Sequence, residues 1–100
     1  MAYTISILPS VQSYFRGLTG LTRLGRLKLL IGALRDHGDV LRSEPSRRLA
    51  SGSSYFRFDF IFSDAGQLWR ADCVADDSNA IYGVLHVVYL DCHPAQVGDP

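Results

Sequence analysis

The chain has 100 residues, with ten basic and ten acidic side chains and an apolar fraction of 47%. That is one domain with a core of its own, and no apolar run approaches the ~20 residues that would span a bilayer. The zero net charge hides a split: residues 1–50 carry eight basic side chains against Asp36, Asp39 and Glu44 (+5), and residues 51–100 carry Arg57 and Arg70 against seven aspartates (−5).

The start, Met1-Ala2-Tyr3, has no basic n-region and runs straight into strand-like alternation over Ala2–Leu8, so a cytoplasmic location is expected. Pro9-Ser10 closes that strand. Ser10 is the expected N-cap of a short helix with Val11, Phe15 and Leu18 on one face, broken near Gly17 and Gly20. Thr22 is the expected N-cap of a longer helix. Its core stripe is Leu24, Leu27, Leu30, Ile31 and Leu34, and it should end near His37 with Gly38 as the closing glycine. Asp39–Ser54 reads as a long loop that cannot be helical through Pro45. It gathers Arg42, Arg47 and Arg48, a basic set suited to RNA or to an acidic partner segment.

Tyr55–Val74 reads as a β-hairpin. Phe56, Phe58, Phe60 and Phe62 alternate with Tyr55, Arg57, Asp59 and Ile61, giving one aromatic and one charged face. With Ser63-Asp64-Ala65-Gly66 as a four-residue loop, Phe62 faces Gln67, Phe60 faces Trp69, Phe58 faces Ala71 and Phe56 faces Cys73. Asp59 then meets Arg70 and Arg57 meets Asp72 across the ladder. Ala80–Leu90 comes next as the last strand, in which His86 shares a face with Tyr82, Val84, Val88 and Leu90. His93 stands just beyond it beside Tyr89 and Asp91. Residues 1–91 therefore form the expected domain and 92–100 a loose tail. Cys73 and Cys92 fit no zinc or redox spacing and read as free thiols, Cys73 buried. The order β-α-α-β-β-β predicts an α+β fold, two helices on one face of a mostly antiparallel four-stranded sheet.

This order resembles the RelE/ParE superfamily of toxins from type II toxin–antitoxin pairs, and within it the HigB-type, phage-derived branch. The residues that carry the likeness are Leu34–Leu49 with its Leu-Gly-Leu-Pro-basic-Leu spacing, Tyr55 and Arg57, Gly66, Trp69-Arg70, and Leu85-His86-Val87. The resemblance implies a ribosome-dependent mRNA endoribonuclease without metal or cofactor, neutralised by a cognate antitoxin such as a helix-turn-helix protein. In such an enzyme Arg57 and Arg70 would hold the scissile phosphate, and His86 or His93 would move a proton. The chain departs from that branch after its last strand, where Asp91-Cys92-His93 stands in place of a basic pair. The alternative is a protein of the same fold that acts by binding, either a gyrase-poison type or a silent interaction module. In that reading Arg57 and Arg70 belong to salt bridges with Asp72 and Asp59, and His86 is a partly buried strand residue.

Overall fold

The structure is a computed structural model that describes residues 2–16 and 20–95. Its elements are β1 (Thr4–Ile7), α1 (Pro9–Arg16), α2 (Gly20–Ser43), a 3₁₀ turn (Pro45–Arg47), β2 (Tyr55–Asp64), β3 (Gln67–Asp76), a second 3₁₀ turn (Ala80–Tyr82) and β4 (Val84–Pro94). The four strands make one mixed sheet in the spatial order β1-β4-β3-β2. β1 runs parallel to β4, and the other two pairs are antiparallel. The two helices carry the chain from the β1 edge to the β2 edge across one face. This is the α+β architecture expected from the sequence.

The core lies between the helices and that face. Leu30 and Leu34 of α2 and Val11 of α1 meet Phe56, Phe58 and Phe62 of β2, and Leu85, Val87 and Leu90 of β4. The central strand β3 contributes only small buried residues, Ala71, Cys73 and Ala75, so the bulky side chains of its two neighbours close over it. Burial pushes the Cys73 thiol up, which keeps it protonated.

Local chemistry explains where the elements differ from expectation. α1 begins at Pro9, one residue before the expected cap. Proline at the first helical position lacks only a donor that no helix uses there, and the Leu8 carbonyl accepts the Val11 and Gln12 amides. α2 begins at Gly20, ahead of Thr22, and continues to Ser43, past Gly38. Its apolar stripe carries on through position 38 to the half-buried Leu41, so the packing that holds the helix does not stop at the glycine. Gly38 is itself buried, and a Cβ there would lie 2.8 Å from the Tyr3 ring and 2.9 Å from Leu85 Cδ1. The expected place of Leu18 on the α1 face and the break at Gly17 lie outside the described residues, as do residues 96–100 of the expected 92–100 tail.

The hairpin is two residues tighter than expected. Asp64 pairs with Gln67, leaving only Ala65 and Gly66 as the loop. Both have positive φ, 51° and 79°, the combination of a type I′ turn, whose twist matches the flanking strands. Every cross-strand pair moves by two. Phe62 faces Trp69, Phe60 faces Ala71, Phe58 faces Cys73 and Phe56 faces Ala75. A shift of two preserves the faces, so the aromatic face is the core face. The expected Arg57–Asp72 pairing is not formed; Arg57 faces Val74 and Asp59 faces Asp72.

β4 is also altered. It starts at Val84 rather than Ala80 and extends four residues past Leu90, pairing Asp91, Cys92, His93 and Pro94 with β3. Between Val74 and Ala75 the register slips, since Val74 faces Tyr89 and Ala75 faces Val87. Val88 is the extra residue of a β-bulge, and a bulge reverses the in–out phase of the residues beyond it. Leu85 and Val87 point into the core before it, and Leu90 after it. His86 therefore does not share a face with Leu90, contrary to simple alternation.

A polar network fastens the lower end of the sheet to α2. The half-buried Asp77 carboxylate accepts Arg42 Nε at 3.0 Å and Arg48 Nη2 at 2.6 Å. Arg48 Nη2 also donates to the Arg42 carbonyl at 2.6 Å, and its guanidinium lies 5.4 Å from the Phe56 ring centre. Tyr3 donates its hydroxyl proton to Asp39. Burial favours the protonated Asp77, but the two arginines outweigh it and hold the carboxyl below the usual carboxylate range.

Candidate functional site

The face opposite the helices is open and carries the charges. Strand register arranges it as three rows running across β2, β3 and β4. The first row is Arg57–Val74–Tyr89, the second Asp59–Asp72–Asp91 and the third Ile61–Arg70–His93. The alternation of β2 supplies the first column, and the bulge at Val88 turns Tyr89, Asp91 and His93 onto this face to supply the last. Against the β2 side of this face, the segment Glu44–Leu49 raises a wall. It encloses, with the sheet, a groove of about 670 Å³ whose lining includes Arg47, Arg57, Arg70 and Tyr89.

The arginines differ in their surroundings. Arg70 is largely covered, its side chain 16% exposed, and its Nη2 lies 2.6 Å from Asp59 Oδ2 and its Nε 3.7 Å from Asp72 Oδ1. The expected Asp59–Arg70 pair is thus present, but as a diagonal contact rather than a directly opposed one. Arg57 is exposed and makes no ion pair among the described residues. Arg47 is held by Glu44 at 2.7 Å on the groove wall. Three aspartates in register across adjacent strands repel one another, since like charges directly opposite are destabilising. Arg70 offsets that repulsion from the β2 side.

The structure gathers Arg57, Arg70 and His93 on one surface, with Arg47 at its rim. It does not bring the other expected residues there. His86 is on the same face of the sheet but pairs with Asp76, six residues along β3 from Arg70, a separation of about 20 Å. Its Nε2 lies 2.8 Å from Asn79 Nδ2. Arg42 and Arg48 are engaged with Asp77 at the far end of α2. Tyr89 and Asp91 were not singled out from the sequence. The alternation Tyr89-Leu90-Asp91-Cys92-His93, apolar residues inward and polar outward after the bulge, is the signal that marks them.

The layers, the strand order and the charged open face define a RelE-like α+β fold. A solved structure of the E. coli toxin RelE, a double arginine-to-alanine mutant in the free state, is similar to this chain with a TM-score of 0.57. The likeness covers 90% of this chain and 82% of that one at 14% sequence identity, which makes it a likeness of fold. No protein-family model matches the chain, and no curated protein matches it. None of the helices among the described residues is long and apolar enough to cross a membrane.

Proposed function

We propose that this chain is the toxin of a type II toxin–antitoxin pair, of the HigB-type branch, that cuts mRNA on the ribosome in the cytoplasm and is neutralised by a cognate antitoxin. The observation that carries the reading is the convergence of Arg57, Arg70 and His93 on the open face of a RelE-like sheet, beside a groove walled by Arg47. In this chemistry a ribose 2′-hydroxyl attacks the adjacent phosphate and the 5′-oxygen leaves. His93 takes the hydroxyl proton or returns one to the leaving oxygen, while the guanidinium groups of Arg57 and Arg70 stabilise the charge that builds on the phosphate oxygens.

Induced expression tests it. Growth arrest with mRNA cut at ribosome-bound codons is expected. The Arg70→Ala chain, still folded by circular dichroism, should lose cleavage by about 10²–10³-fold, the usual loss when one preorganised charge-stabilising donor is removed. A fully toxic Arg70→Ala chain removes the site assignment. Arrest of replication with an SOS response would instead indicate a gyrase-poison type.

One observation favours a second reading, an interaction module of the same fold. Arg70 is already hydrogen-bonded to a carboxylate, which competes with phosphate for its donors, and the middle row of the face is wholly acidic. In that case induction leaves growth unchanged.

A further inference from the structure

We infer that Asp72, Asp91 and His93 form a binding site for a divalent transition-metal cation of the zinc or manganese type. Their donor atoms all lie within 4.8 Å of one another, and His93 Nδ1 is 3.9 Å from Asp91 Oδ2. Bonds of about 2.0–2.2 Å to a shared cation put neighbouring donors roughly 3–3.5 Å apart, so small rotations of these partly exposed side chains close the set. The strands fix the rest. Asp72 and Asp91 are a directly opposed pair on β3 and β4, and His93 is two residues on from Asp91 on the same face.

The site is more than a group of carboxylates, because the histidine contributes an imidazole nitrogen. One nitrogen and two carboxylate donors suit zinc, manganese or iron(II) rather than magnesium or calcium, which prefer oxygen throughout. The charge pattern points the same way. Asp59 is satisfied by Arg70 at 2.6 Å, whereas Arg70 comes only within 3.7 Å of Asp72. The Asp72–Asp91 side of the aspartate row keeps the opposed like charges that a bound cation would neutralise. Three protein ligands leave coordination positions for water or an anionic oxygen.

This inference goes beyond the ribonuclease reading and departs from the metal-free chemistry that the resemblance implies. It meets that reading at one point: a cation on His93 withdraws the imidazole from proton transfer, so cation binding and metal-free cleavage exclude one another.

The test reads metal rather than RNA. Untagged full chain is titrated with Zn²⁺ and with Mn²⁺ by calorimetry, and the imidazole nitrogens of His37, His86 and His93 are followed by NMR during the Zn²⁺ titration. One cation per chain is expected, with the His93 signal moving and those of His37 and His86 still. His93→Ala and Asp72→Asn, each folded by circular dichroism, should weaken binding by about tenfold or more, and Cys92→Ser should leave it unchanged. The inference is overturned by no saturable binding below millimolar metal, by affinity that His93→Ala does not move, or by affinity that Cys92→Ser abolishes. If binding holds but added Zn²⁺ leaves an observed RNA cleavage unimpaired, the site stands and His93 is not the proton carrier.

Discussion

Gly38 shows how one residue is read differently by local and tertiary logic. A glycine after a histidine at the end of a leucine stripe has the local signature of a helix stop. In the fold it occupies the next core position of that stripe, where the helix approaches β1 and β4 so closely that no Cβ fits between Tyr3 and Leu85. Nothing in the sequence distinguishes a glycine that ends a helix from one that lets a strand come near, because the difference lies in what packs against it. Substitution separates the two. Gly38→Ala gains about 1 kcal/mol of helix propensity and incurs an overpacking cost of about 1–3 kcal/mol against the fully buried Leu85 and a Tyr3 ring tied through its hydroxyl to Asp39. A net loss of about 1 kcal/mol is expected, a fall in Tm of roughly 4–8 °C in a domain of this size. A Tm at or above that of the parent chain would mean that Tyr3 and Leu85 yield without cost.

At the scale of elements, the alternation of phenylalanines in β2 announced both the strand and its buried face. The pairing partners were not legible, because the tight turn places an alanine, not the usual asparagine or aspartate, at its first positive-φ position. A four-residue polar loop was the natural reading of Ser63–Gly66. In β4 the bulge hid the phase: a strict period of two assigns His86 and Leu90 to one face, and the extra residue Val88 separates them. The basic loop residues were legible as a cluster but not as anchors. Arg42 and Arg48 converge on Asp77, joining the end of α2 to the segment after β3, and that junction sets the position of the groove wall between them. Its pH dependence has a definite sign. Asp77 titrates lower in the folded chain than in the unfolded one, so the unfolded chain binds the proton more tightly. The stability is complete above the unfolded carboxylate value of about 4 and is lost as pH falls through the lower folded value. Asp77→Asn should cost about 2 kcal/mol at neutral pH, since it weakens two charge-assisted hydrogen bonds, and should flatten the loss of stability on acidification below pH ~4. Urea unfolding at neutral and acid pH measures both. An unchanged slope with pH would show that other carboxylates carry the acid sensitivity.

Across the whole molecule, the charge split of the sequence becomes a split between layers. Exposed basic residues such as Arg16, Lys28 and Arg35 sit on the helices, and Asp59, Asp72 and Asp91 cross the middle of the open face. The halves of the chain foretold this, since the first builds the helices and the second most of the sheet. The interleaving of Arg57, Arg70 and His93 with the aspartates depends on register and was only partly legible. The layout has a consequence for RNA. With few cations on the face, binding should be weak and its salt dependence shallow, a slope near −1.4 for two phosphate contacts on a single strand at about −0.7 each, the third arginine, Arg70, being held by Asp59. Arg70 is divided between Asp59 and any phosphate it meets. Asp59→Asn removes the shorter of Arg70's two carboxylate contacts, leaving the one to Asp72 at 3.7 Å, and raises the net charge from 0 to +1 with Asp72, Asp91 and His93 unchanged. The ion pair it removes is partly exposed, with side chains 16% and 40% accessible, so the loss of stability should stay within about 1 kcal/mol. Affinity for single-stranded RNA should rise severalfold, and the slope of log K against log salt should steepen by about 0.7, one phosphate contact's worth. Filter binding across a salt series measures both quantities. A slope that does not move would mean that Arg70 meets no phosphate and that its work on this face is to hold the aspartate row together.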